Sequence, residues 1–371
     1  MQNLQHMRWL SAVTTKIFIR SASKSTKYAM AGNSLVHNEL QRYVNPRARI
    51  NVKSDIYLHV EPADVHVYTG GDVFIAQLVG EAVDNCTASM EVDISNEDKL
   101  VNVVVKKLAQ QSRFKCSLKI PVQAEMHIEA QGNVCVKNIQ SEALQVQAAG
   151  NIVTKNVRAT NINLKSENGN IKCEGTLLGK CTEIETHNGN IYMEKLQGDR
   201  LTCSTKAGNI NTDCCYVDQS KFETTTGQLE LKNVHKHSEV HVHQAADINM
   251  TGVHGSLNVN SKGGSIQLQL SELMGKSSIN VENLKNEAII NISEAIENST
   301  NIAVKACQVS LASELEHVSH ALNADKNAFE LNNEHQHHLH VCSTGEHGVR
   351  LGKQSWTDIM RETMKIMAEK K

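Results

Sequence analysis

Along residues 118–345 apolar and polar positions alternate in short runs, and the runs restart at a nearly constant interval. A Gly-polar-aliphatic step marks each restart: Gly132-Asn133-Val134, Gly150-Asn151-Ile152, Gly169-Asn170-Ile171, Gly189-Asn190-Ile191, Gly208-Asn209-Ile210, Gly227-Gln228-Leu229 and Gly264-Ser265-Ile266. The spacings are 18, 19, 20, 19 and 19 residues, then 37, with the last gap bridged by a degenerate copy at Ala246-Asp247-Ile248. After the glycine, apolar residues return at every second position, as in Ile171 and Cys173, Ile191 and Met193, and Ile266 and Leu268. A period of two is the signature of a strand. Before the glycine a second alternating run ends in a hydroxyl residue: Ile162, Leu164, Ser166; Leu201, Cys203, Thr205; Leu257, Val259, Ser261. The Asn-Gly-Asn steps at 168–170 and 188–190 supply residues that accept positive φ, so the seven glycines read as structural turns.

Short strands joined by tight corners, with no helical half to the repeat, predict an all-β fold: a parallel β-helix or β-solenoid of about 19 residues per coil. One coil buries too little apolar surface to offset the entropy of ordering it, so each must stack on its neighbours. Ile171, Ile191 and Ile210 are then expected to be vertical neighbours.

The flanks are less regular. Four segments are expected: a leader over 1–35, an irregular β region or cap over 36–117, the solenoid over 118–345, and a linker with an amphipathic helix over 346–371. Within the second, Ile56 to Val60 and Val101 to Val105 alternate, and Gly71-Asp72-Val73 resembles a stray repeat step. That region is therefore either early coils with insertions or a small β domain over the first coil. In the last, Trp356, Ile359, Met360, Met364, Ile366 and Met367 fall on one side of a helical wheel, opposite Asp358, Arg361, Glu362 and Lys365. Such a helix suits a cover for the last coil, a protein contact or a peripheral membrane contact.

Charge separates the leader from the body. The first acidic residue is Glu39, preceded by Arg8, Lys16, Arg20, Lys24 and Lys27; the remainder holds 33 basic residues against 40 acidic ones. With Trp9, Leu10, Val13, Ile17 and Phe18 spaced as one apolar helical face, residues 1–35 have the composition of a mitochondrial presequence, which implies the matrix. An acidic body lacks the basic footprint that nucleic acid requires. No apolar run is long enough for a transmembrane helix. Aromatic residues are only 4% of the chain, so stacking grooves for sugars or single strands are scarce.

Candidate chemistry is sparse. There is no nucleophile elbow, phosphate loop or dinucleotide fingerprint, so no catalytic residue and no cofactor is assigned. None of the ten cysteines forms a Cys-x-x-Cys pair, which leaves free thiols as the simplest reading; Cys214 and Cys215 point to opposite faces, Cys215 inward. Histidines cluster at His235, His237, His241 and His243, and again from His335 to His347. His338, His340 and Cys342 share one strand face and form the one candidate zinc or copper set; the competing reading is a solvated strand face.

The run Leu118-Lys119-Ile120-Pro121, then Ile128 and the Gly-Asn/Asp-Ile repeats, resembles the β-solenoid domain of unknown function named for bacterial "putative adhesins", over residues 50–345. The basic leader, acidic repeat body and helical tail together look like the animal members of that group, a "family with sequence similarity" set. The resemblance implies a β-solenoid without a catalytic motif. The resulting expectation is a non-enzymatic mitochondrial interaction or scaffold protein with unidentified protein partners. The alternatives are a homo-oligomer that stacks end to end, a carbohydrate- or ester-processing enzyme on the outer face, and a histidine-mediated metal binder.

Overall fold

The structure is a computed structural model that describes residues 15–19, 34–81, 87–109, 113–332 and 334–353. The described residues up to 150, with 157–159, form one compact unit, and 151–156 with 160–353 form another.

The first unit contains β1 (Thr15–Ile19), β2 (Ser34–Tyr43), β3 (Arg49–Ser54), β4 (Tyr57–Pro62), β5 (Val73–Glu81), β6 (Ala88–Ser95), β7 (Leu100–Lys107), β8 (Lys115–Ile120), β9 (Glu125–Ala130), β10 (Val134–Lys137) and β11 (Gln140–Ala148). Its coils do not stack in chain order. β3 lies between β7 and β9, parallel to both, and β4 lies likewise between β8 and β10. The first coil thus sits inside the second and third, and Val52, Val103 and Ile128 form one buried column. Antiparallel strands finish the exposed edges: β6 pairs with β7 and β1 with β6, while β5 pairs with β8 and β2 with β5.

The second unit carries most of the glycine repeat, in β12 (Ile152–Ser166), β13 (Ile171–Thr186), β14 (Ile191–Ala207), β15 (Ile210–Ser261), β16 (Ile266–Leu273) and β17 (Lys276–Val281). Ile171, Ile191 and Ile210 are parallel ladder partners, as expected from the repeat. Leu177, Leu196 and Cys215 form a second buried column, and Ile184, Cys203 and Phe222 a third.

The corners explain the Gly-Asn pair. A Cβ on Gly189 would lie 2.0 Å from the Gly169 carbonyl oxygen, and one on Gly208 would lie 2.1 Å from that of Gly189. Thr186 and Thr205 donate their buried hydroxyls to those same carbonyls at 2.9 and 3.1 Å, whereas Ser166 accepts from the Gly169 N–H and Thr224 and Ser261 donate to carbonyls of their own corners. Next to them, the side-chain oxygens of Asn151, Asn170 and Asn190 accept the backbone N–H of Asn170, Asn190 and Asn209 at 2.8, 2.8 and 2.9 Å. The asparagine therefore closes a gap in the backbone ladder at the point where the chain turns.

Positive φ occurs at two of the corner glycines, Gly227 and Gly264, and again at a second place in the coil. Asn138, Asn156, Gly175, Asn233 and Gly252 adopt it, at equivalent places after Gly132, Gly150, Gly169, Gly227 and Ala246. Asn168, Asn188, Gly189 and Gly208 do not. The Asn-Gly-Asn step at 188–190 is thus a corner selected by close backbone approach rather than by left-handed conformation.

The final strands are β18 (Ala288–Ile292), β19 (Thr300–Lys305), β20 (Val309–Leu311), β21 (Ala328–Leu331), β22 (His337–Ser343) and β23 (Val349–Lys353), with helix α1 (Glu294–Ser299) and a 3-10 helix over Ser313–Ala321. Here too the last coil is inserted: β22 lies between β17 and β19, and β23 between β18 and β20. β21 covers β19 in antiparallel fashion. The Glu297 carboxylate of α1, 7% exposed, holds this end together through Lys353 at 2.8 Å and through His317 of the 3-10 helix. Burial acts to raise its pKa, but the hydrogen bonds from Lys353 and His317 outweigh burial and hold it below the usual value.

Of the two readings of residues 36–117, early coils with insertions holds, and two other expectations are corrected. Parallel coils begin at Arg49, and the insertion between β4 and β7 hides their period. They continue to Lys353, so Val349–Lys353 is strand rather than linker. Thr15–Ile19 is extended and paired with β6, not part of a helical face. The leader residues 1–14 and 20–33, and the amphipathic helix at 356–367, lie outside the described residues.

Gly208→Ala should lower stability by about 3 kcal/mol, because backbone and not a mobile side chain occupies the Cβ position. Gly275, at φ +70° with open space around it, should cost only about 1 kcal/mol on the same change. The two urea midpoints separate steric from conformational need.

Candidate functional site

Inward positions of the second unit are filled by packing, so its chemistry lies on outward positions. One outward column runs Gln197, Tyr216, His235, His254 and Glu272 through successive coils. Tyr216, 45% exposed, stacks on His235 with ring centroids 4.3 Å apart and planes 23° apart. His235 stacks on His254 at 4.9 Å and 6°. His254 Nδ1 lies 3.9 Å from a Glu272 carboxylate oxygen. On the next outward positions His237 and His241 each place Nε2 3.6 Å from Glu239, one on each oxygen, and His237 Nδ1 hydrogen-bonds the Ser256 hydroxyl.

Stacking buries the His235 ring between two others. Its pKa is lowered, first by that desolvation and then by the neighbouring His254. The face is thus a column of stacked rings whose edges carry a phenol and imidazole nitrogens, suited to contact and to hydrogen bonding. The sequence reading picked out His235 but not its partners. The signal was present, since Tyr216, His235 and His254 occupy the same place in the repeat after Gly208, Gly227 and Ala246.

A second outward cluster surrounds Tyr192. Its hydroxyl donates to Asp213 Oδ2 at 2.8 Å, and its pKa is pushed up to about 12 by burial and by Asp213. Lys172 lies 6.0 Å from the centre of its ring and 2.8 Å from Glu174. This cluster is internally satisfied.

His338, His340 and Cys342 do share the outward face of β22, with Leu339 and Val341 buried opposite. Their ladder neighbours are Lys276 and Asn301, Ser278 and Ala303, and Asn280 and Lys305. Among the described residues no group of three or more His, Cys, Asp and Glu side chains is arranged to hold a metal ion. Cys215 is buried and Cys214 half-buried, as the alternation requires. Burial pushes the thiols of Cys116, Cys173 and Cys215 up to about 12, 11 and 12, and that of Cys203 well above its usual value, so these thiols are unreactive packing groups.

A repetitive all-β solenoid with small outward side-chain clusters defines the class. The sequence model of the family described as Toastrack DUF4097 matches residues 76–211 and again 180–344, more than half of the chain, and the chain belongs to that family. Among solved structures, one described as a "putative adhesin" from Bacteroides fragilis is 12% identical, with a TM-score of 0.38 over 64% of this chain and 96% of that one. Another, a "putative cell adhesion protein" from Clostridium sporogenes, is 8% identical, with a TM-score of 0.19 over 85% of this chain and 99% of that one.

The lowered His235 pKa fixes a sign. The unfolded imidazole takes up a proton near pH 6.5 and the folded one only at lower pH, so this contribution to stability is complete above pH 6.5 and is lost as pH falls below it. Unfolding midpoints measured from pH 7.5 to 5 should drop less steeply in His235→Gln and His254→Gln than in the parent chain.

Proposed function

We propose that this Toastrack solenoid is a non-enzymatic interaction protein of the mitochondrial matrix, and that a protein partner docks on the outward Tyr216, His235 and His254 column. The observation that carries the reading is the exposed ring stack on a regular β surface: aromatic rings held rigid lose little entropy on binding and supply large contact area.

Outward charges support the non-enzymatic part. They are spent on neighbours along or across strands, as in Lys165 with Glu183 and Glu185, Lys221 with Glu223, and Lys232 with Glu230. Glycoside chemistry on such a surface would instead ask for two carboxyl groups facing one another across a bond to be cleaved. The compartment rests on the basic, acid-free leader. The same leader, the acidic body and the tail are the grounds for placing the chain with the animal "family with sequence similarity" members. Growth by end-to-end stacking is disfavoured by the antiparallel strands laid over the coils of both units.

Proximity labelling in cells tests compartment and face separately. The full chain should label matrix proteins, and removing residues 1–38 should abolish that set. Tyr216→Ala with His254→Ala should keep the compartment and the far-ultraviolet spectrum but lose a defined subset of neighbours. An unchanged set of neighbours in the double variant would overturn the docking face.

A further inference from the structure

One stretch of β15 carries three candidate ligand side chains on a single face. His237, Glu239 and His241 alternate with buried Ser238, Val240 and Val242, so all three stand outward. Glu239 lies between the two imidazoles with one oxygen towards each: His237 Nε2 is 3.6 Å from Oε1, and His241 Nε2 is 3.6 Å from Oε2. Both distances exceed the roughly 2.7–3.2 Å of an N–H···O bond. They fit another arrangement. A nitrogen and an oxygen each about 2.1 Å from a tetrahedral zinc ion lie about 3.4 Å from one another. The gap beside each carboxylate oxygen is therefore the size of a divalent ion with its two bonds.

A second observation bears on the ligand atom. His237 Nδ1 hydrogen-bonds the Ser256 hydroxyl of the neighbouring coil at 2.5 Å. With the Nδ1 proton donated to that oxygen, the tautomer leaves the Nε2 lone pair free and aimed at Glu239. Two unprotonated acceptors that face one another repel unless a proton or a cation lies between them.

We propose that His237, Glu239 and His241 form a zinc-class site in which the Glu239 carboxylate bridges two divalent ions, each held by one imidazole. Among the described residues no three ligand side chains converge on one ion, so the site is a pair of half-sites sharing a carboxylate rather than a closed cage. Two protein ligands leave the other positions of each ion to water, or to a carboxylate or imidazole of a bound partner. Donor type sets the preference: imidazole nitrogen with a carboxylate oxygen suits zinc and copper, whereas magnesium takes oxygens. Ser256 is a positioning residue, and only for the His237 half. Neither Tyr216 nor His254 takes part, so the site stands or falls apart from the docking column.

The test uses the tag-free full chain with zinc chloride alone as the probe, and reads each histidine by mass spectrometry after treatment with diethyl pyrocarbonate, which modifies free imidazole nitrogen. Zinc should slow modification of His237 and His241 at least about fivefold, while exposed His243 keeps its rate. Magnesium should slow none of them. Glu239→Gln, with its far-ultraviolet spectrum unchanged, should lose the protection at both histidines, and His241→Gln should keep it at His237. Ser256→Ala should raise the zinc concentration that protects His237 about tenfold and leave His241 unaffected. No protection at either histidine, or protection that survives Glu239→Gln, would overturn the site. An equal loss at His241 in Ser256→Ala would overturn the positioning role.

Discussion

The central coils rest on one close contact: the carbonyls of Gly169, Gly189 and Gly208 each occupy the place where the next coil's glycine would carry a Cβ. Gly189 over Gly169, Gly208 over Gly189 and Gly227 over Gly208 repeat it at 2.0 to 2.1 Å from the ideal Cβ position. No other residue can be accommodated there without moving backbone. The corner is thereby fixed in register, and the asparagine beside it and the hydroxyl residue before it can each reach one specific group of the neighbouring coil. Inward packing then follows, because a fixed corner aligns Ile171 with Ile191 and Ile210, and Ile184 with Cys203 and Phe222.

A stack built this way must still dispose of its outer edges. In the first unit the opening coil is flanked on both sides, and in the second unit the closing coil is flanked on both sides. Inserting the chain's first or last coil between two others gives that segment two parallel neighbours instead of one, which hinders fraying. Among the described strands, β7 and β19 are covered by antiparallel β6 and β21, and in the second unit α1 and the 3-10 helix are drawn together by Glu297. Paired edges no longer offer a full row of unbonded donors and acceptors to another molecule.

The sequence displayed the period, the strand alternation and the inward columns, because each depends on residue types that recur at fixed spacing. The inserted coils were not legible: Val52 beside Val103 and Ile128 is a pairing between segments separated by an insertion, and no local pattern encodes which of two coils a third will join. The left-handed positions at Asn138, Asn156 and Asn233 were hidden as well, since asparagine is common at outward positions for other reasons. His338, His340 and Cys342 were placed on one face correctly, but the identity of their neighbours, Lys276 and Asn301 among them, depends on the inserted β22.

The outward ring stack shows how such a scaffold converts sequence into surface. Neighbouring strands in any sheet lie about 4.8 Å apart. Ring centroids here are 4.3 and 4.9 Å apart, so the backbone spacing is already the stacking distance of aromatic and imidazole rings. A ring placed at one coil position meets a ring at the equivalent position of the next without any rearrangement of the chain. Inward positions are held by packing and corner positions by close contact, whereas an outward position is constrained by its column neighbours and by side chains two positions along its own strand, as Lys232 is by Glu230. Tyr216, His235 and His254 occupy such positions, and each can be exchanged without disturbing the corner that holds its coil.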